Sequence, residues 1–188
     1  MTSMTTGTDP TTLRTTFAGF PSGVTALCAE IDGELVGMAA SSFTGVSLDP
    51  PLVSVCIMHG SRTWQRLRAV PRLGISVLAA DQEAVCRALG SRQGDRFAGV
   101  DTMVTPAGAA FVRGAGIWLE CEIDAEMPGG DHVIVVLRVL GLDAEPKREP
   151  MVYLDGKVRN LVPRSPVPVD RPGPVTTTVP SAPEGVLS

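Results

Sequence analysis

Residues 24–58 read VTALCAEIDGELVGMAASSFTGVSLDPPLVSVCIM, and their patterning decides the fold class. Val24 to Ile31 and Glu34 to Ala40 are strand-like runs on either side of Asp32-Gly33, a dipeptide that favours a tight hairpin because both residues tolerate positive φ. Phe43 to Leu48 continues as strand, Asp49-Pro50-Pro51 breaks it, and Leu52 to Met58 has the length and apolar continuity of a buried strand. Within this β-rich stretch, Gly37, Ala39, Ala40, Ser41 and Ser42 are small where bulkier strand residues could stand. Small side chains let a flat ligand approach the backbone, but a crowded barrel strand with a bulge has the same signature.

Outward from this segment, Thr63 to Ala69 reads as a helix and Leu73 to Ala79 as another strand. Asp81 is expected to cap a helix running through Glu83, Val85 and Leu89 to Gly90. Two long strands, Gly116 to Ala125 and His132 to Leu142, are joined by Met127-Pro128-Gly129-Gly130. Val152 to Val158 forms a last hairpin around Asp155-Gly156. Antiparallel strands with few helices, and no regular strand-helix alternation, point to a mainly β, closed or nearly closed barrel.

Three segments are expected: a flexible N-terminus over residues 1–12, one folded domain over 13–162, and a tail over 163–188. Pro163, Pro166, Pro168, Pro172, Pro174, Pro180 and Pro183 punctuate that tail, which lacks amphipathic periodicity. The 188 residues suit one domain, and 44% hydrophobic content is enough for a core. A net charge of −4 argues against nucleic acid or an anionic membrane as partner. With no signal peptide and no membrane-length apolar run visible, the expected location is cytoplasmic. Cys28, Cys56, Cys86 and Cys121 are widely spaced and read as reduced; with only His59 and His132 to join them, no metal site is expected.

Standard nucleotide and hydrolase signatures fail. Gly114-Ala115-Gly116 leads into a strand rather than a helix and lacks a third glycine, so a Rossmann loop is excluded. No Walker A sequence occurs, and Ser22 in Gly19-Phe20-Pro21-Ser22-Gly23 is misplaced for a nucleophile elbow.

Gly37 to Val55 as a whole, Gly-Met-Ala-Ala-Ser-Ser-Phe-Thr-Gly-Val-Ser-Leu-Asp-Pro-Pro-Leu-Val-Ser-Val, resembles the flavin reductase-like family. The likeness runs on through Phe20 to Thr25, Ile75 to Leu78, Gly94 to Gly99, Leu119 to Cys121, Gly130-Asp131-His132 and Pro150 to Tyr153, about 140 residues in order. These are the short reductases that serve two-component flavin monooxygenases. The resemblance implies a split β-barrel of Greek-key, FMN-binding type with short peripheral helices, a homodimer, and reduction of FMN or FAD by NADH or, less favoured, NADPH. The reduced flavin would pass to a separate monooxygenase.

Carried over residue by residue, the resemblance implies that Met38, Ala39, Ala40, Ser41 and Ser42 line the isoalloxazine and ribityl chain. Cys56, Ile57 and Met58 would border it, and Ser61, Arg62, Thr63 and Trp64 would hold phosphate at a helix start. A solvated helix face is the competing reading of Arg62 and Arg66. Ser91 and Arg92 would also contact flavin. Asp131 and His132 would sit beside the nicotinamide, with His132 as the catalytic candidate, and Tyr153, Gly156 and Lys157 would shape the nicotinamide pocket. This chain departs from the family at Ala39, where Thr is usual, and at Leu89, near which an aromatic is common. Other readings stay open: a protein of this fold that keeps FMN bound and reduces an organic substrate, a non-catalytic flavin-binding protein, or a dimerisation barrel without ligand.

Overall fold

A computed structural model describes residues 9–161. Helix α1 (Pro10–Ala18) precedes β1 (Ser22–Gly23), β2 (Thr25–Ile31), β3 (Glu34–Ala40), β4 (Thr44–Leu48) and β5 (Pro51–Met58). Then come α2 (Arg62–Leu67), β6 (Leu73–Val77), α3 (Glu83–Gly90), β7 (Thr102–Val104) and β8 (Ala110–Val112). The long pair β9 (Ile117–Gly129) and β10 (His132–Ala144) leads to the hairpin β11 (Val152–Leu154) and β12 (Lys157–Arg159). Residues 1–8 of the expected flexible N-terminus, and the whole proline-rich tail, lie outside the described residues.

Seven strands form one antiparallel sheet in the order β3-β2-β6-β9-β10-β5-β4. Its two edge strands, β3 and β4, are consecutive in the chain and joined only by Ser41, Ser42 and Phe43. That link spans at most ~14 Å, whereas the edges of a flat seven-stranded sheet stand roughly 29 Å apart. The sheet must therefore curl until its edges meet. At the meeting point the Ser42 hydroxyl donates to the Cys56 carbonyl and accepts from the Cys56 N–H, both at 2.9 Å. No ladder joins β3 to β4 or β5, so the barrel is split as the family resemblance implies. Register shifts between Val136 and Leu137, and between Val139 and Gly141, let the long β9–β10 pair bend with the curl.

The barrel interior is filled by Leu27, Val55, Ile57, Leu67, Leu73, Ile75, Val135 and Leu137, with Trp64 of α2 at one end. A second cluster, Ala26, Cys28, Leu78, Leu89, Ala110, Val112 and Met151, covers the outside of the same wall. Strand β2 is thus buried on both faces from Thr25 to Ala29, which accounts for its unbroken run of small and apolar residues. Burial pushes the Cys28 and Cys121 thiols up to about 12, while Cys56 is exposed and not a core residue.

Several boundaries differ from the sequence reading. Both expected hairpin turns form, with positive φ at Asp32 and Gly33 (53° and 79°) and at Asp155 and Gly156 (52° and 73°). The β9–β10 joint is shorter than expected: Met127 to Gly129 stay in the ladder and the loop is Gly130-Asp131. Asp81 does not cap α3. Its carboxylate pairs with Arg148 at 2.9 Å, and Gln82 occupies the cap position, its side chain bonded to Ala79 N and Arg113 O. Residues 10–12, read as lead-in, are helical because Asp9 accepts from Thr11 and Thr12 N–H while Pro10 sits in the first turn. Among the described residues no helix is long and apolar enough to cross a membrane.

Candidate functional site

Two cavities meet on the outside of the barrel at Ala39 and Gly90, which line both. The first, about 720 Å³, lies between β3, one face of α3 and the β11–β12 hairpin. Ala39, Ala40 and Ser41 form its strand wall, Glu83, Cys86, Arg87 and Gly90 its helix wall, and Tyr153, Gly156, Lys157 and Val158 its hairpin wall. The helix contributors follow the i, i+3, i+4, i+7 spacing of a single face. Arg87 bonds Glu83 at 3.0 Å across one turn, so these two charges offset one another locally. Burial raises the Cys86 thiol above its ordinary value, with the nearby Glu83 charge adding to the effect.

The second cavity, about 580 Å³, is lined by Met38 and Ala39 of β3, Met58 and the segment Gly60 to Thr63, and Leu89, Gly90, Arg92 and Arg96. Its charged groups are three guanidiniums, Arg62, Arg92 and Arg96, with no carboxylate in the lining. Arg62 and Arg92 make no ion pair among the described residues. Arg66, one turn after Arg62, is instead held by Glu34 at 2.7 Å, and that contact draws the Glu34 carboxyl below its usual range. Both arginines are exposed and both line a further cavity of about 250 Å³, where Arg66 is tied to Glu34; Arg62 alone also lines the arginine cavity. Helix α2 spans only six residues and its Trp64 N–H is already capped by Ser61 Oγ at 3.2 Å. Attraction for an anion here rests on the guanidiniums.

Strand β10 begins beside this cavity. His132 pairs across the ladder with Met58, whose side chain lines the cavity wall. The imidazole Nδ1 lies 2.7 Å from Asp131 Oδ1, and this hydrogen bond and charge draw the Asp131 carboxyl below its ordinary value. The carboxylate fixes Nδ1 as the protonated nitrogen and leaves Nε2 turned to other partners. His59 N–H donates to the Asp131 carbonyl at 3.2 Å and ties the turn to the end of β5.

Of the expected flavin residues, Met38, Ala39, Ala40, Ser41, Met58, Ser61, Arg62, Thr63 and Arg92 line one cavity or the other. Tyr153, Gly156 and Lys157 gather in the larger one. Asp131 and His132 line neither, and His132 is not brought together with Tyr153 within this chain. Four expected residues make contacts of their own within the chain. Ile57 points into the barrel core, as its neighbours Cys56 and Met58 point out. Trp64 is buried there too, its Nε1 donating to Glu126 Oε1 at 3.0 Å. The Ser42 hydroxyl is taken up by the Cys56 backbone, and the Ser91 hydroxyl closes a local turn onto Gln93. Arg96, Gly90, Cys86 and Arg87 were missed as lining residues. For the helical ones the signal was the one-face spacing from Glu83 to Gly90.

Comparison with known proteins matches this architecture. The flavin reductase like domain family matches residues 17–162. The flavin-dependent monooxygenase reductase subunit HsaB of Rhodococcus jostii is 34% identical over 160 residues, covering 85% of this chain and 82% of that protein. An NADH-dependent FAD reductase of Streptomyces globisporus is 38% identical over 160 residues, covering 82% of this chain and 87% of that one. The solved structure of the Streptomyces globisporus C-1027 NADH:FAD oxidoreductase SgcE6, in complex with NAD and FAD fragments, superposes with a TM-score of 0.82 at 37% identity. That alignment covers 88% of this chain and 100% of the other.

Proposed function

This chain belongs to the flavin reductase like domain family, and from that premise we propose that it is an NAD(P)H:flavin oxidoreductase supplying reduced flavin to a separate monooxygenase. The observation that carries the reading is the pair of confluent cavities, one end lined by Arg62, Arg92 and Arg96 and free of carboxylates. Each volume falls within the roughly 300–1,000 Å³ of small-molecule sites. A phosphorylated, flat, partly apolar ligand fits that division: phosphate at the guanidiniums, ring against small side chains.

When bound, the flavin supplies a ring that accepts hydride from the reduced nicotinamide. The chain's own residues bind and orient. Arg62 and Arg92 hold the phosphate charge, aided by the hydroxyl of Thr63, whose oxygen accepts from Arg96 and whose proton can turn to the phosphate. Ala39, Ala40 and Ser41 keep the β3 wall low enough for a ring to lie against the strand. Met38 and Met58 give that wall polarisable, adaptable surface. His132, held through Nδ1 by Asp131, is assigned to orient the nicotinamide, and it would do so from the start of β10 beside Met58, apart from the Tyr153 hairpin of its own chain. Tyr153, Gly156 and Lys157 border the space for the dinucleotide donor. No nucleophile and no buried acid pair is needed for such chemistry.

The flavin is FMN or FAD, and the donor is NADH in preference to NADPH. The reaction is placed in the cytoplasm and the protein acts as a homodimer. Leu48 (97% exposed) and Val46 on β4, with Leu142 (72%) on β10, leave apolar surface that a second copy would cover.

Anaerobic mixing of the protein with NADH and excess FMN or FAD tests the reading. Bleaching of many flavin equivalents per protein is expected. Bleaching that halts at one equivalent would favour an enzyme that retains its flavin and acts on an organic substrate. If NADH is not consumed with FMN, FAD or riboflavin, the assignment fails.

A further inference from the structure

The arginine cavity has walls from three separate parts of the chain: β3 at Met38, the start of α2 at Arg62 and Thr63, and the end of α3 through Gly90 to Arg92. No strand ladder links these parts to one another. One side chain does. Arg96 Nε donates to the Ser91 carbonyl at 2.7 Å, and Nη1 donates to the Gly37 carbonyl at 2.9 Å and to Thr63 Oγ1 at 2.7 Å. Each acceptor is a phosphate-wall residue or its immediate neighbour: Ser91 precedes Arg92, Gly37 precedes Met38, and Thr63 follows Arg62.

The guanidinium is suited to this task because it is planar and permanently charged, with donors in fixed directions. The next residue adds an apolar anchor. A Cβ at Gly37 would come within 2.7 Å of the Phe97 ring and 2.6 Å of Cys28 Sγ, so the ring rests on bare backbone there. Polar and apolar contacts together dock the loop after α3 against β3. Arg96 is half-buried, and its Nη2 makes no hydrogen bond among the described residues.

We propose that Arg96 is a positioning residue for phosphate recognition: its three-point contact sets the spacing between Thr63 and Arg92, so that both wall segments reach one anion. This rests on the flavin assignment made above, and sharpens it by naming the part of the ligand that Arg96 serves. Loss of the guanidinium lets the wall segments separate, and a displacement on the ångström scale is enough to weaken a shared contact. The consequence falls on flavins that carry phosphate, and riboflavin, which has none, is largely indifferent.

The test compares wild type, Arg96→Gln and Arg96→Lys, with Arg96→Lys as the less disruptive variant. Equilibrium binding of FMN and riboflavin is followed by flavin fluorescence, alongside KM, kcat and thermal midpoint. For Arg96→Gln, the FMN Kd and KM should rise roughly tenfold with kcat nearly unchanged, and the riboflavin values should stay within about twofold. Arg96→Lys keeps the charge and can reach the Gly37 and Thr63 acceptors from one ammonium, but has no donor at the Nε position for the Ser91 carbonyl, and should recover only part of the loss. The proposal is overturned if FMN and riboflavin weaken in parallel. It is also overturned if FMN binding is unchanged while the thermal midpoint drops, or if Arg96→Lys matches wild type. A wild type that binds FMN without turnover would sink the reductase reading alone, because the binding ratios still decide the role of Arg96. A wild type that binds no flavin would overturn both.

Discussion

The two cavities that meet at Ala39 and Gly90 are built by different means. The larger takes one regular helix face and one hairpin, and two of its charges, Glu83 and Arg87, satisfy each other. The smaller takes loop and element ends, concentrates three guanidiniums without a counter-charge in its lining, and is held in shape by Arg96. A site of the first kind selects by shape and tolerates variation in what enters. A site of the second kind selects by charge and depends on the loops staying where they are. Hydride exchange between two soluble partners calls for both: a flavin anchored at one end, and room for the donor to arrive and leave.

The largest effect should come from discharging the smaller cavity. In Arg62→Ala/Arg92→Ala, the FMN KM should rise on the order of 100-fold, as expected for two charge-assisted contacts, with the riboflavin KM changed far less. Equal losses for both flavins would remove the distinction between the cavities. Next in size is His132→Ala, expected to lower kcat/KM for NADH by roughly thirtyfold through lost orientation while leaving the flavin Kd near wild type. Equal loss of both would contradict the placement of His132 on the donor side.

The waist can be narrowed without touching either end. A Cβ at Gly90 would meet nothing within 4 Å, so Gly90→Val has room there to fold. It should weaken flavin binding by about five- to tenfold if one ligand spans both cavities. Unchanged affinity would mean that the ligand lies wholly on one side.

The smallest effect concerns the wall behind both cavities. The folded-state values near 12 for Cys28 and Cys121 exceed the ordinary thiol value of 9.0, so the folded protein holds protons that the unfolded chain releases. Stability from this source is intact below the unfolded value and is lost as pH rises from there toward 12. The thermal midpoint of wild type should therefore fall more steeply above pH 9 than that of Cys28→Ala. At neutral pH, a thiol reagent should modify exposed Cys56 first, Cys86 slowly and the two buried thiols only on unfolding. Early modification of Cys28 would show that the wall opens.

Much of this contrast was legible in the chain. Small residues from Gly37 to Ser41 break a strand pattern, and Asp32-Gly33 and Asp155-Gly156 announce hairpins whose local chemistry is sufficient to form them. Strand periodicity also held information that a block reading of Cys56, Ile57 and Met58 overlooked, since three consecutive strand residues cannot face one ligand. Trp64 and Leu67 similarly mark the buried stripe of α2, opposite Arg62 and Arg66. Arg96 was not legible as a site residue. It stands in the Gly94 to Gly99 stretch that carries the family likeness, but its acceptors lie 59 and 33 positions away at Gly37 and Thr63, contacts that only the curled sheet creates. Asp81 was misread for the converse reason: a favourable local cap lost to a long-range ion pair with Arg148.

A crystal structure with FMN tests the polarity of the site most directly. We expect the phosphate within hydrogen-bond distance of Arg62 and Arg92, with the ring lying toward Ala39 and Ala40. A phosphate found instead against Tyr153 and Lys157, with the guanidiniums left to solvent, would contradict the division of labour between the two cavities.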